Sequence, residues 1–208
     1  SYIMHTGRRE EPVVTYPHLG SVAAKYLAPE EAALPGYIHI TPGGNGVSAS
    51  EAAFLGPRYG SVTLGNGEPP RNTKRADALT EAADLARNDL RRRMNDRFAG
   101  RRRTADTEAY SYSYEQALKL VAQRELFDVT REGEAELARY GTHDFGRHCL
   151  LARRLLEHGV TFVKVSHSNY DTHNENFDFH IEQLGEFDQP FATLVGDLAD
   201  RGMLESTL

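Results

Sequence analysis

The 208-residue sequence contains one cysteine, Cys149, so no intrachain disulfide is possible. A lone cysteine among apolar neighbours on a predicted helix reads as a buried, inert thiol. No apolar run approaches the ~20 residues that a membrane helix needs. Positive charge is not in excess: 24 Lys and Arg face 30 Asp and Glu, for a formal charge of −6. Such a surface does not attract nucleic acid as a whole. Two basic triplets, Arg91–Arg93 and Arg101–Arg103, stand out against it. They read as a solvated helix face and its exit rather than a polyanion patch. Signature loops are missing too. Gly43-Gly44-Asn45-Gly46 lacks the Gly-Lys-Ser/Thr ending of a phosphate loop, and no helix pattern follows it. No Gly-x-Ser-x-Gly elbow is present. No secretory pattern opens the chain, but the first residue is Ser1, so export is not excluded.

What is present suits a globular protein: 39% hydrophobic and 26% charged residues, on a length sufficient for one domain with a sizeable core. Residues 1–72 are rich in turns. Tyr16-Pro17-His18 leads into a short helix, Leu19 to Leu27, and Pro35-Gly36 precedes a short strand, Tyr37 to Thr41. Residues 73–140 read as helical. Thr73 is the expected cap of a helix whose Leu79, Ala83, Ala86, Leu90, Met94 and Phe98 form an apolar stripe. A second helix is expected from Ser113, with Gln116 completing a capping box and Tyr114, Ala117, Leu118 and Val121 buried. A weaker helix runs from about Arg131 to Tyr140.

Residues 141–208 read helix, strand, loop, helix, the order of an α/β sheet with covering helices. Thr142 caps the first helix, with Asp144 in its first turn, and His158-Gly159 ends it. Val160 to Val165 reads as a strand buried on both faces, as in a parallel sheet. The last helix carries Phe177, Ile181, Leu184, Phe187, Phe191, Leu194, Val195 and Leu198 on one side, with Pro190 predicting a kink. Glu205 to Leu208 look like the approach to another strand, so a longer natural polypeptide is expected.

The polar loop between strand and helix, Ser166 to Glu175, carries the chemistry. In open α/β sheets ligands bind beyond the carboxyl ends of strands. Asp171 and His173 offer a carboxylate oxygen and an imidazole nitrogen, donors that zinc and similar ions prefer in catalytic sites. One intervening residue lets both point the same way on extended backbone. His167, Glu175 and Asn176 are near enough to add a ligand or orient one; His180 is a weaker candidate. A short Asp-x-His on a loop is also common, Asp171 also suits a helix cap, and a catalytic metal needs three protein ligands or more. His5, His18 and His39 have no local partner, and His143 and His148, five apart, do not share a helix face. These five read as structural or exposed.

Tyr140-Gly141-Thr142-His143-Asp144-Phe145-Gly146-Arg147-His148-Cys149 through Val160, and Tyr170-Asp171-Thr172-His173-Asn174-Glu175-Asn176-Phe177, resemble signatures of the domain-of-unknown-function 1501 family. So do Met4-His5-Thr6-Gly7, Tyr16-Pro17-His18-Leu19-Gly20-Ser21, Leu34-Pro35-Gly36-Tyr37 and Phe54-Leu55-Gly56-Pro57-Arg58-Tyr59, in family order. The resemblance implies a bacterial, exported or periplasmic protein grouped with alkaline phosphatases and sulfatases. The implied fold is part of an alkaline-phosphatase-like mixed sheet flanked by helices, with a largely helical insertion. The implied activity is metal-dependent hydrolysis of phosphate or sulfate esters of a small molecule or polymer. Zinc is the first choice of ion, with manganese, calcium or magnesium as alternatives, held by Asp171 and His173. His167 and Asn176 occupy further motif positions. By the same resemblance the chain is a central piece: the nucleophile and the remaining ligands lie before and after it, and the piece alone is expected to be inactive. The sulfatase Cys-x-Pro-x-Arg motif is absent, because Leu150-Leu151-Ala152-Arg153 follows Cys149. The rival expectations are a non-catalytic binding or scaffold domain on the same fold, and a truncated gene product.

Overall fold

The computed structural model describes residues 2–208 apart from 45, 66, 71–72, 101–104 and 168–169, with no side chains described for 105–109. Arg101–Arg103, and the asparagines of the turns at 43–46 and 65–67, lie outside the described residues. Four short strands, β1 Tyr37–Ile40, β2 Gly46–Ser48, β3 Ser61–Leu64 and β4 Phe162–Val165, form one sheet in the order β2-β3-β1-β4. β1 is parallel to both β3 and β4, and β2 is antiparallel to β3. The helices are α1 Tyr2–Thr6, α2 Leu19–Tyr26, α3 Glu81–Ala99, α4 Ala105–Ala122, α5 Glu134–Tyr140, α6 Asp144–Glu157 and α7 Asn176–Asp200. The chain is therefore α/β with a mixed sheet. No helix of the described residues is long and apolar enough to cross a membrane.

The strand period of two sorts the sheet into two faces. Ile38, Ile40, Val62 and Leu64 are buried in the core with Leu150, Leu151 and Leu155 of α6. Tyr37 and Phe162 face the other way and meet edge-on, ring centroids 5.3 Å apart. Helix α2 lies against this pair at Gly20, where a Cβ would come within 2.6 Å of Tyr37 and 2.8 Å of Phe162. The strand before the polar loop pairs in parallel as expected, but it is not buried on both faces. All four residues of β4 are half-buried, because among the described residues it pairs with β1 alone and forms an edge.

Helix α6 is the central element. Its cap is His143, not Thr142: Gly141 at φ +84° turns the chain so that His143 is extended and its Nδ1 accepts from the Gly146 N–H at 3.3 Å. Asp144 occupies the first turn and Gly159, at φ +80°, follows the end, both as expected. Cys149 is buried, and burial pushes its thiol up to about 12. The first turn lies directly on the preceding backbone. A Cβ on Gly146 would stand 2.2 Å from the Tyr140 carbonyl oxygen and 2.5 Å from that of Gly141. Neither is a side chain that can swing away. Gly146→Ala is therefore expected to cost about 3 kcal/mol, the upper end for overpacking, read as a shift in the urea unfolding midpoint. A loss below about 1 kcal/mol would mean that α6 moves aside freely.

The 73–140 region departs most from expectation. Thr80, not Thr73, caps α3, accepting from the Ala83 N–H, while the Thr73 hydroxyl donates to the Pro70 carbonyl at 2.5 Å. Helix α4 starts at Ala105, so Ser113 is interior and no capping box forms there. Among its described side chains the buried ones are Gln116 and Leu120, whereas Tyr114 and Ala117 are exposed. The α3 stripe also points outward: Leu90, Met94 and Phe98 are exposed, and the side turned to α4 is polar. Arg91 and Arg92 both reach Glu115, at 2.6 and 2.9 Å, and Asn95 reaches Ser111. Charge-assisted bonds, not apolar contact, set which way α3 faces. The Arg92 hydrogen bond is the main reason the Glu115 carboxyl falls to about 2. Arg93 pairs with Asp89 at 3.1 Å, so the first basic triplet is an ion-paired helix face.

Helix α7 runs from Asn176 to Asp200 without a break at Pro190. Phe187 and Leu194 pack against the core and Leu198 is buried, but Phe177, Ile181, Leu184, Phe191 and Val195 are exposed. Residues Leu204–Ser206 form a 3-10 turn.

Candidate functional site

Strands β1 and β4 point the same way, and the segments leaving them reach the amino end of α6. A cavity of about 330 Å³ opens there, beyond the carboxyl ends of the parallel strands. Pro42 contributes from the β1 exit and Ser166 and His167 from the β4 exit. Helix α6 adds His143, Asp144, Phe145 and His148, and α7 adds Gln183 and Glu186. Three histidines thus meet around one space. His143 and His148 do not share a helix face, but His143 caps α6 rather than belonging to its turns, and that removes the objection. Burial holds His148 below its ordinary value, Asp144 partly opposes this, and His167 adds to it. The Gln183 side chain is buried, and its Oε1 has no hydrogen-bond partner among the described residues. A buried amide oxygen without a partner is costly, so a bound group or water is its natural complement.

The expected metal residues separate into two sets. Asp171 and His173 do come together, Oδ1 to Nδ1 3.8 Å, with their side chains 95% and 80% exposed. His167 is occupied elsewhere. Its Nδ1 lies 2.7 Å from the Tyr170 hydroxyl and its Nε2 3.3 Å from Glu186, with its ring 4.5 Å from that of Phe145. Asn176 accepts from Thr172 at 2.6 Å, and Glu175, at φ +51°, is the left-handed residue before α7. His180 is half-buried, its ring 6.1 Å from that of Tyr170. Among the described residues no three His, Cys, Asp or Glu side chains are grouped as a metal would require. Asp171 and His173 fit two ligand positions of such a set. Ser168 and Asn169 of this loop lie outside the described residues.

A second cluster occupies the opposite face of the sheet, at His5, His18 and His39. Glu51, in the 3-10 segment Ala49–Leu55, joins them: His18 Nδ1 is 3.7 Å and His39 Nδ1 3.9 Å from its carboxylate. The His5 and His18 rings are 5.2 Å apart. The other ring nitrogen of His39 lies 2.8 Å from Ser166 Oγ. Burial is the main reason His39 falls to about 4, and Lys164, its cross-strand partner, adds to that. Tyr37 beside them is pushed far up by burial and by the Glu51 carboxylate. One signal in the sequence pointed here: in Tyr37-Ile38-His39-Ile40, alternation sets His39 on the face away from the isoleucines.

Neither a curated protein nor a solved structure matches the chain. A family model does match, over residues 1–208. The chain belongs to that family, whose description is Protein of unknown function (DUF1501).

Proposed function

We propose that the chain carries part of the site of a metal-dependent hydrolase of phosphate or sulfate esters, with Asp171 and His173 as one arm of the metal set. The observation that carries this reading is the meeting of a carboxylate and an imidazole on the loop beyond β4, two donors 3.8 Å apart and open to solvent. A divalent ion, zinc first, would lower the pKa of a bound water and neutralise charge on the departing oxygen. The chain's own contribution is positional. Thr172, bonded to Asn176, ties the loop to the start of α7. His167, held between Tyr170 and Glu186, fixes the start of the loop against Phe145. The cavity beside it offers the buried oxygen of Gln183 to an incoming group.

The rival reading, a binding or scaffold domain on the same fold, is favoured by the lack of a third grouped ligand among the described residues. Zinc uptake separates the two. The parent chain is expected to retain near-stoichiometric zinc after dialysis, and Asp171→Ala/His173→Ala to retain none. Both side chains are exposed, so the double variant should keep its fold, visible as an unchanged far-UV circular dichroism spectrum. Equal zinc in both proteins overturns the metal reading and leaves the scaffold; none in either moves the same test to the longer polypeptide that supplies the remaining ligands, where an equally empty site overturns it.

A further inference from the structure

Three side chains stand in line across β4, β1 and the 3-10 segment Ala49–Leu55. Ser166 Oγ is 2.8 Å from His39 Nε2, and His39 Nδ1 is 3.9 Å from Glu51 Oε1. Hydroxyl, first ring nitrogen, second ring nitrogen, carboxylate is the order of a nucleophile, its base and the group that orients the base. We propose that Ser166 is an activated nucleophile for carboxylic esters, with His39 as its general base and Glu51 as the positioning residue. The proposal does not depend on the metal reading, because the relay needs no ion.

The placement argues for more than a satisfied core histidine. Ser166 is not in the core; it is half-buried at the strand exit and borders the 330 Å³ cavity. Its N–H donates to the Ile40 carbonyl at 2.9 Å, so parallel pairing locks the serine in register beside His39. The His39 side chain is 12% exposed, and burial keeps it neutral through neutral pH, as a base must be. The charges facing it are Glu51 from the 3-10 segment, Lys164 from β4, His18 before α2 and His5 from α1. The 3.9 Å gap to Glu51 exceeds a hydrogen bond, and such contacts commonly tighten only when the histidine takes its proton.

In the reaction, Ser166 Oγ bonds to the ester carbonyl carbon while His39 Nε2 takes the hydroxyl proton. The carbonyl π pair moves to oxygen. Its return breaks the ester C–O bond, and the alcohol leaves with the proton from His39. Water then attacks the acyl carbon, giving a proton to His39; the bond to Oγ breaks, Oγ recovers the proton, and the acid departs.

A fluorophosphonate probe tests this in buffer containing EDTA: Oγ bonds to phosphorus and fluoride leaves. The expected adduct is on Ser166, located by peptide mass, and absent in Ser166→Ala. His39→Gln is expected to slow labelling by about 10²–10⁴-fold. In the parent the labelling rate should rise with pH through about 4 and level off above it. Glu51→Gln should move that rise to lower pH, because the carboxylate opposes the depression of His39. A purely structural role for Glu51 would leave the midpoint in place. No adduct on Ser166 in the parent, or undiminished labelling of His39→Gln, overturns the proposal. Because EDTA is present, neither outcome bears on zinc uptake at Asp171 and His173.

Discussion

Asp197→Ala is expected to cost about 3–5 kcal/mol, the range for removing one partner of a buried ion pair. Asp197 is 1% exposed on α7 and gathers two other helices, α5 and α6, with Arg201 just beyond its own. Arg139 at α5 donates to its Oδ1 at 2.6 Å, and the buried Tyr140 hydroxyl donates to its Oδ2 at 2.8 Å. Arg153 of α6 lies 3.6 Å away, and Arg201 just beyond α7 lies 3.4 Å away. Without the carboxylate, Tyr140 keeps a buried hydroxyl with no acceptor in its place, and Arg153 falls back on Glu157 and Glu132. Asp197→Asn keeps one acceptor oxygen and should cost roughly half as much. Urea midpoints at unchanged slope measure both. A loss under about 1 kcal/mol for the alanine variant would mean that Glu132 and Glu157 already neutralise the arginines. Burial alone would raise the Asp197 carboxyl, but Arg139, Tyr140 and Arg201 outweigh it and the net shift is downward. Its stabilising share is therefore present above the unfolded value near pH 4 and is lost as pH falls through the lower folded value.

The elements that the sequence disclosed are those whose signals are local. Pro35-Gly36 before β1, Gly141 before α6 and His158-Gly159 after it mark boundaries that the fold keeps, because backbone conformation at glycine and proline does not depend on distant partners. The helices α3 and α4 show the limit. The apolar stripe of Leu90, Met94 and Phe98 has the period of a buried face, yet Glu115, some two dozen residues away, draws Arg91 and Arg92 inward and turns the stripe to solvent. Periodicity records which residues share a side; it does not say which side wins. The candidate site behaves in the same way. Asp171 and His173 are two residues apart and could be paired from spacing. His39, Glu51 and Ser166 could not: His39 and Ser166 are 127 positions apart and meet only through the β1–β4 register.

Lowering the pH from 6.5 to 4 is expected to remove about 3 kcal/mol of stability through His39 alone. In the unfolded chain this histidine takes a proton near pH 6.5; in the fold it does so only at about 4. Between those values the unfolded state binds more protons, so stability falls as pH falls. A gap of about 2.5 pH units at 1.36 kcal/mol each gives the magnitude. Above pH 6.5 both states leave the ring neutral and the curve is flat. His5, His18 and His148 are held below their ordinary values as well and act in the same direction. His39→Gln keeps a group that can meet Ser166 but takes no proton. Unfolding free energies of parent and variant at pH 7.5, 6.5, 5.5 and 4.5 isolate the effect. The two curves should converge toward low pH, by about 2–3 kcal/mol across the window. Parallel curves would mean that His39 is solvated enough to titrate normally, and a base of that kind would be partly protonated at neutral pH. The same measurement therefore bears on the Ser166 relay, because a nucleophile's base must be neutral where the nucleophile works.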